Sequence, residues 1–192
     1  MEEIKIEIAG RSINIATDFD FKTEKNVIDQ SLSIVDGELK LRLFKSLVPM
    51  LSSKGYWYAL GRVYTTCNCV DSISITEKRR LFYDYRPHRE YLMTSDERRF
   101  LDARAKKVTL YRAMSINERE SGEFGISWTL NKAVAEFYAY KYQGYELHRQ
   151  EEERVVHSVT AEKENLIAYF KGRKEKEVIY VHFSDGKLDE IF

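Results

Sequence analysis

The chain of 192 residues carries 31 Lys and Arg against 31 Asp and Glu, so its formal charge at pH 7 is zero. That length is enough for one substantial domain with an apolar core, and the charge balance excludes an overall electrostatic attraction to nucleic acid or membranes. No window approaches the roughly 20 apolar residues that a membrane helix needs. The acidic start, Met1-Glu2-Glu3, predicts no signal peptide. We therefore expect a cytoplasmic protein with no membrane partner.

The N-terminus predicts a β-hairpin. Isoleucine alternates with polar residues on both sides of a turn-forming segment at 9–12, as paired strands require: Ile4, Ile6, Ile8, Ile13 and Ile15.

Helices are predicted after the hairpin. Apolar residues at helical spacing indicate an amphipathic helix from 38 to about 52, which Pro49 is expected to bend or shorten. Thr94 and Glu97 fit a capping box ahead of a second helix that runs to about 105. Residues 56–86 mix aromatic, β-branched and polar residues and receive no assignment. We place a first lobe of hairpin and helices at 1–105.

The two cysteines, Cys67 and Cys69, flank Asn68. A spacing of one residue is too short for an ordinary disulfide, and the pair lacks the further ligands of a zinc site. The histidines also show no ligand spacing and no paired nucleophile. The sequence therefore predicts neither a disulfide nor a metal site, as expected in a reducing compartment.

After residue 105 the pattern changes to strands. A strand-like segment at 108–112 is followed by a polar, turn-prone stretch at 115–125 and a short strand end at 126–130. Asn131 is expected to cap a helix that runs to about 143. Further strands are predicted at 154–160, 166–170 and 177–183, with a connecting turn at 171–174. We place the second unit at 106–192.

Three features of this second unit carry chemistry when they are taken in order. They are Arg112 at the end of a strand, Ser127 and Thr129 at a strand–helix turn, and Glu175 with Glu177 on the lip of a late strand. Each alone has an ordinary explanation: a structural ion pair, a helix cap and a charged surface loop. Their ordered combination is more specific than any of its parts.

The combination resembles the mono-ADP-ribosyltransferase family of the arginine–serine–glutamate class, which includes bacterial toxins and several phage-encoded modifiers. The resemblance covers roughly residues 106–183, with matching pieces at 110–112, at 125–130 with the helix that follows, at 167–169 and at 175–179. It implies an α+β fold in which a core of two small, mostly antiparallel sheets encloses an NAD+ cleft. The first lobe is then expected to pack against this catalytic core.

The resemblance also implies roles for the two glutamates, with NAD+ as substrate and no metal. Glu177 would hold the nicotinamide ribose and stabilise the oxocarbenium-like cation left by departing nicotinamide, and the hydroxyl of Ser127 would orient its carboxylate. Glu175 matches the glutamate that orients or deprotonates the acceptor. These three residues are the implied catalytic set.

Arg112, Ala113 and Thr129 complete the implied NAD+-binding set with Ser127 and Glu177. The arginine fork would hold phosphate and ribose oxygens, and the backbone of Ala113 would lie beside the nicotinamide amide. Ala113 stands where the family often has glycine, and Trp128 replaces a small residue, so both are expected to reshape the nicotinamide pocket. Trp128 is expected to pack rather than to stack on a ligand. The helical tyrosines are expected to be mostly core, with at most one of them lining the cofactor cleft: Tyr138, Tyr140 and Tyr142.

The acceptor stays open between a protein side chain and a nucleic acid. By resemblance Glu175 suggests protein arginine, whereas a basic edge favours an anionic partner: Lys171, Arg173, Lys174 and Lys176. Two other functions also stay open, an NAD+ glycohydrolase and a non-catalytic module that binds a nucleotide or a partner. The family points to a toxin or a phage–host conflict factor, and a toxin would need a neutralising antitoxin or inhibitor, which no residue identifies.

Overall fold

The computed structural model describes residues 3–8, 11–16, 20–67, 73–142, 153–172 and 175–182. The chain divides into two compact units, Met1–Thr94 and Ser95–Phe192. The division falls before the helix predicted at about 95–105, which therefore belongs to the second unit, whereas the sequence places the boundary after that helix. The described residues form seven α-helices, a two-stranded hairpin and a five-stranded antiparallel sheet, which is an α+β fold.

The first unit begins with the predicted hairpin. Strand β1 (Glu3–Ile8) pairs antiparallel with β2 (Arg11–Ala16), which confirms the prediction. Four helices follow: α1 (Phe21–Ile34), α2 (Glu38–Leu47), α3 (Ser53–Thr66) and α4 (Ile75–Phe82). Helix α2 ends before Pro49, which lies in a single 3-10 turn, because proline lacks an N–H and clashes with the preceding helical turn.

Helix α3 starts at a buried carboxylate. Glu24 of α1 accepts hydrogen bonds from the main-chain N–H of Ser52 at 2.7 Å and from its hydroxyl at 2.6 Å, and Ser52 is the N-cap of α3. A Cβ on Gly55 would lie 2.1 Å from this carboxylate, so only glycine fits there. The contact joins α1 to the first turn of α3.

Cys67 follows α3 and is disulfide-bonded, so the prediction of a pair without a disulfide is wrong. Two residues of chain span at most about 7 Å, close to the upper Cα separation of disulfides, so the spacing by itself does not exclude a bridge. Cys69 lies outside the described residues. Among the described helices, none combines the length and the apolar character that a membrane span requires.

The second unit is built on one sheet. Its described strands are β3 (Lys107–Ser115), β4 (Ser127–Thr129), β5 (Arg154–Glu162), β6 (Leu166–Phe170) and β7 (Glu177–Tyr180). They lie in the order β5-β3-β4-β7-β6 and every neighbouring pair is antiparallel. All the predicted strands are present, although β7 ends at Tyr180 and Phe183 lies outside the described residues. The described strands form one sheet, so the arrangement of two sheets around a cleft stays a prediction.

Three helices accompany this sheet: α5 (Ser95–Asp102), α6 (Ile116–Ser121) and α7 (Lys132–Tyr140). Asn131 caps α7 as predicted, since its side chain accepts from the N–H of Ala133 at 3.1 Å. The prediction of a loop throughout 115–125 is wrong. Ser115 accepts from the N–H of Glu118 at 3.1 Å and starts α6, which ends at Gly122 in the left-handed conformation.

The apolar core of the second unit lies along β6 and β7. All five residues of β6 are buried, as are Val178 and Ile179 of β7. Phe100 of α5 stacks on Tyr169 of β6 with ring centroids 4.2 Å apart, so α5 covers this edge strand. Burial raises the pKa of the Tyr169 phenol, and the nearby Glu97 carboxylate raises it further.

Candidate active site

The predicted serine and the predicted second glutamate are in contact. Thr129 pairs with Glu177 across β4 and β7, so Ser127, two residues earlier, lies on the same face of the sheet as Glu177. The Ser127 hydroxyl donates a short hydrogen bond to Oε1 of Glu177, although the two residues are 50 positions apart in the chain. This hydrogen bond joins one oxygen of the Glu177 carboxylate to strand β4.

The predicted arginine, Arg112, also contacts Ser127. Nε of Arg112 donates to Oε1 of Glu118 at 2.7 Å, and Nη1 donates to the main-chain carbonyl of Ser127 at 2.7 Å. The side chains of Arg112 and Glu118 are 22% and 20% exposed, respectively. The guanidinium is therefore fixed by two charge-assisted hydrogen bonds in a largely desolvated position.

Arg112 approaches Ser127 from the other side of β4. Tyr111 pairs with Thr129, and side chains alternate along a strand, so the Arg112 side chain starts on the face opposite to that of the Ser127 hydroxyl. It reaches Ser127 through the carbonyl rather than through the hydroxyl. The main chain of β4 thus lies between the guanidinium and the carboxylate of Glu177.

Gly125 and Glu118 hold the arginine in this position. Oε1 of Glu118 accepts from the N–H of Gly125 at 2.8 Å as well as from Arg112. A Cβ on Gly125 would lie 2.3 Å from Nη2 of Arg112, so the missing side chain provides the space for the guanidinium. Sequence reasoning missed Glu118, yet the spacing Ser115-x-x-Glu118 is a capping-box signal.

Thr129 holds the turn between the two glutamates. Its hydroxyl donates to the main-chain carbonyl of Glu175 at 2.6 Å and accepts from the N–H of Asn131 at 3.0 Å. The N–H of Leu130 donates to the carbonyl of Lys176 at 3.2 Å, and Lys176 has a left-handed φ of 49°. The buried Thr129 hydroxyl therefore bonds within the protein, and its predicted contact with NAD+ stays a prediction.

The Glu175 carboxylate bonds to α7. The hydroxyl of Tyr138 donates to its Oε1 at 2.6 Å, and the Glu175 side chain is half-buried. Sequence reasoning grouped Tyr138 with two neighbours as mostly core, and this is wrong for both neighbours: Tyr140 is 64% and Tyr142 is 42% exposed. Helix α7 ends close to solvent, so these rings project outward.

Ala113 and Trp128 are the two residues that were expected to reshape the nicotinamide pocket. The carbonyl of Ala113 accepts from Nη2 of Arg154 at 3.3 Å. Trp128 is buried and packs edge-on against Phe124 and Tyr180, with ring centroids 5.9 and 6.0 Å away, which confirms that it is a packing residue. Its indole N–H bonds to none of the described residues.

The basic edge is described in part. Lys171 and Lys176 are exposed, whereas Arg173 and Lys174 lie outside the described residues. Within the described ranges, no group of three or more His, Cys, Asp or Glu side chains is arranged to hold a metal ion.

No protein-family model matches the chain, and comparisons with curated proteins and with solved structures likewise find no match.

Proposed function

We propose that the chain cleaves NAD+ at the bond between nicotinamide and ribose and transfers ADP-ribose to a macromolecule. The observation that supports this most is the hydrogen bond from the Ser127 hydroxyl to the Glu177 carboxylate, with Arg112 fixed on the carbonyl of the same serine. In the proposed fold the five-stranded sheet belongs to a two-sheet core around the NAD+ cleft.

In the proposed cleavage step, the bond between ribose C1′ and the nicotinamide nitrogen breaks and its electron pair leaves with nicotinamide. The positive charge moves from the pyridinium to the ribosyl group, as in glycoside cleavage. A carboxylate that is already oriented stabilises this cation without reorganising during the reaction. Glu177 has that property because Ser127 fixes one of its oxygens.

In the proposed transfer step, a lone pair of the acceptor forms a bond to C1′ and an acceptor proton passes to the Glu175 carboxylate, then to water. The products are ADP-ribosylated acceptor, neutral nicotinamide and one proton. Glu175 and Glu177 are separated by one residue, and the left-handed Lys176 turns the chain between them. This turn supports separate tasks for the two carboxylates.

Arg112 is proposed to bind the phosphate groups of NAD+. The guanidinium has N–H groups beyond the two that bond to Glu118 and Ser127, and these suit phosphate oxygens of NAD+. We place the backbone of Ala113 beside the nicotinamide amide, as the resemblance implies. Thr129 supports the site through the Glu175 carbonyl.

The direct experiment incubates the full chain with NAD+ that is radiolabelled in the adenylate phosphate, together with separate pools of protein, RNA and DNA. Nicotinamide release and polymer-bound label are measured for the wild type and for Glu177→Gln. Label on one polymer, with nicotinamide released, supports the proposal and identifies the acceptor class. Nicotinamide without polymer label indicates a glycohydrolase, and no nicotinamide with any pool indicates a binding module.

The proposed setting is a toxin or a phage–host conflict factor that a neutralising partner holds in check. Expression of the wild type in bacteria should then stop growth, and Glu177→Gln should relieve the arrest at equal protein level. Growth arrest by both forms would contradict a toxic activity that depends on this carboxylate.

A further inference from the structure

We infer that Tyr138 is a positioning residue that sets the direction of the Glu175 carboxylate and thereby the efficiency of ADP-ribose transfer. This rests on the proposed function. Its hydroxyl donates to Oε1 of Glu175 at 2.6 Å, while Thr129 bonds the main-chain carbonyl of the same residue at 2.6 Å. Glu175 is thus held at both ends, by α7 at the side chain and by β4 at the backbone.

Glu175 needs such a contact because of where it lies. It precedes a residue in the left-handed conformation, outside any strand, and its side chain is half-exposed. A glutamate in that position rotates among several rotamers, and only some of them point toward an acceptor. The Tyr138 hydroxyl engages Oε1 and leaves Oε2, which bonds to none of the described residues, to receive the acceptor proton.

The tyrosine is itself fixed by its neighbours. Its ring centroid lies 5.5 Å from that of Phe137, edge-on, and 4.9 Å from that of Tyr142. Helix α7 begins directly after the Ser-x-Thr turn, at the Asn131 cap. One strand–helix unit therefore supplies both the hydroxyl that holds Glu177 and the hydroxyl that holds Glu175.

The contact pattern predicts a selective effect of Tyr138→Phe, which keeps the ring and removes the hydroxyl. Transfer to the acceptor should fall about tenfold, the loss expected for one charge-assisted hydrogen bond in the transition state. Nicotinamide release without acceptor should stay within about twofold of wild type, because the hydroxyl bonds to the proposed acceptor glutamate, Glu175, whereas Ser127 holds Glu177. The ratio of transfer to hydrolysis is therefore the diagnostic quantity.

Two comparisons sharpen the test. Tyr140→Phe removes a hydroxyl from the same helix that bonds to none of the described residues, on a side chain that is 64% exposed, and should change neither rate. In a Glu175→Gln background, Tyr138→Phe should cause little further loss of transfer, because a residue that acts through Glu175 has nothing left to position.

The outcomes separate this inference from the function on which it rests. An active wild type with a lowered transfer ratio in Tyr138→Phe, and no further loss in the double variant, supports it. With an active wild type, three results for Tyr138→Phe would overturn the inference. They are an equal loss of transfer and nicotinamide release, no change in either rate, and the same loss of transfer in the Glu175→Gln background. A wild type that releases no nicotinamide overturns the proposed function, and this inference with it.

Discussion

A single methyl group at Gly125 should reveal how Arg112 is held. In Gly125→Ala the new Cβ would lie 2.3 Å from Nη2 and 2.7 Å from Cζ of Arg112, well inside the 3.0 Å that real Cβ contacts essentially never breach. The guanidinium is the end of a flexible side chain, but its bonds to Glu118 and Ser127 prevent it from moving freely. The substitution should therefore displace the arginine and break these bonds.

The size of the effect follows from the contacts. A charge-assisted hydrogen bond contributes about 1.5–3 kcal/mol, and partial exposure of both side chains lets water replace some of this, so the combined loss is about 2–3 kcal/mol. Replacing glycine by alanine also lowers the conformational entropy of the unfolded chain, which adds about 0.4–1 kcal/mol to the free energy of unfolding. The net destabilisation is about 1–2.5 kcal/mol, which lowers the urea midpoint by on the order of 1 M.

Urea unfolding should compare Gly125→Ala with Gly172→Ala, whose Cβ would meet nothing within 4 Å. The control should unfold at the wild-type urea midpoint or slightly above it, because alanine restricts only the unfolded chain. In an Arg112→Ala background, Gly125→Ala should no longer destabilise the protein, because the group with which the new Cβ collides is gone. NAD+ affinity, measured by calorimetry, should fall at least about tenfold in the single variant. The reasoning is refuted if Gly125→Ala is as neutral as Gly172→Ala, or equally harmful without Arg112.

Three further predictions concern the glutamates and the residue between them. Glu177→Gln should lower nicotinamide release, measured by chromatography, at least about 100-fold, because the amide still accepts from Ser127 but has no charge for the ribosyl cation; wild-type release would contradict this role. Glu175→Gln should impair polymer labelling more than nicotinamide release, and equal loss of both would refute the division of labour. Lys176→Gly should unfold at a urea midpoint equal to or above that of wild type, because φ is 49° there and glycine adopts it without strain. Labelling assays on the same variant should show weaker transfer to RNA or DNA if the basic edge recruits nucleic acid, and unchanged labelling would rule out that role for Lys176.

The strands were predictable because the pattern of apolar and polar residues shows which face is buried. Four helices, α1, α3, α4 and α6, were not predicted, and α3 and α6 show two of the physical reasons. On α3, Tyr56, Trp57 and Leu60 are buried, but Tyr58 and Tyr64 are only partly buried, so aromatic residues occur on both faces and obscure the helical period. Helix α6 has only six residues and none of them is buried, so its signal is confined to the cap that Ser115 forms with Glu118. Periodicity fails for a helix with aromatic residues on both faces and for a helix with no buried residue.

At the site, the sequence predicted the partners that share a sheet but not those that come from helices. Ser127 and Glu177 meet because β4 and β7 are neighbouring strands. The family resemblance had implied that this serine and this glutamate lie close together. Glu118 and Tyr138 are a charged residue and an aromatic residue on helices, where solvent exposure and core packing are the ordinary explanations. Only the tertiary structure brings their polar atoms to Arg112 and Glu175.

The three residues of β4 explain why a tryptophan is compatible with this site. Ser127 and Thr129 share the face of Glu177, while Trp128 is buried on the other face against Phe124 and Tyr180. A slip of one residue would turn the indole toward the carboxylate and place both hydroxyls among aromatic rings, where they would lose their partners. The burial of so large a side chain therefore fixes the register of β4, and that register places the Ser127 hydroxyl on the Glu177 carboxylate and the Thr129 hydroxyl on the Glu175 main-chain carbonyl.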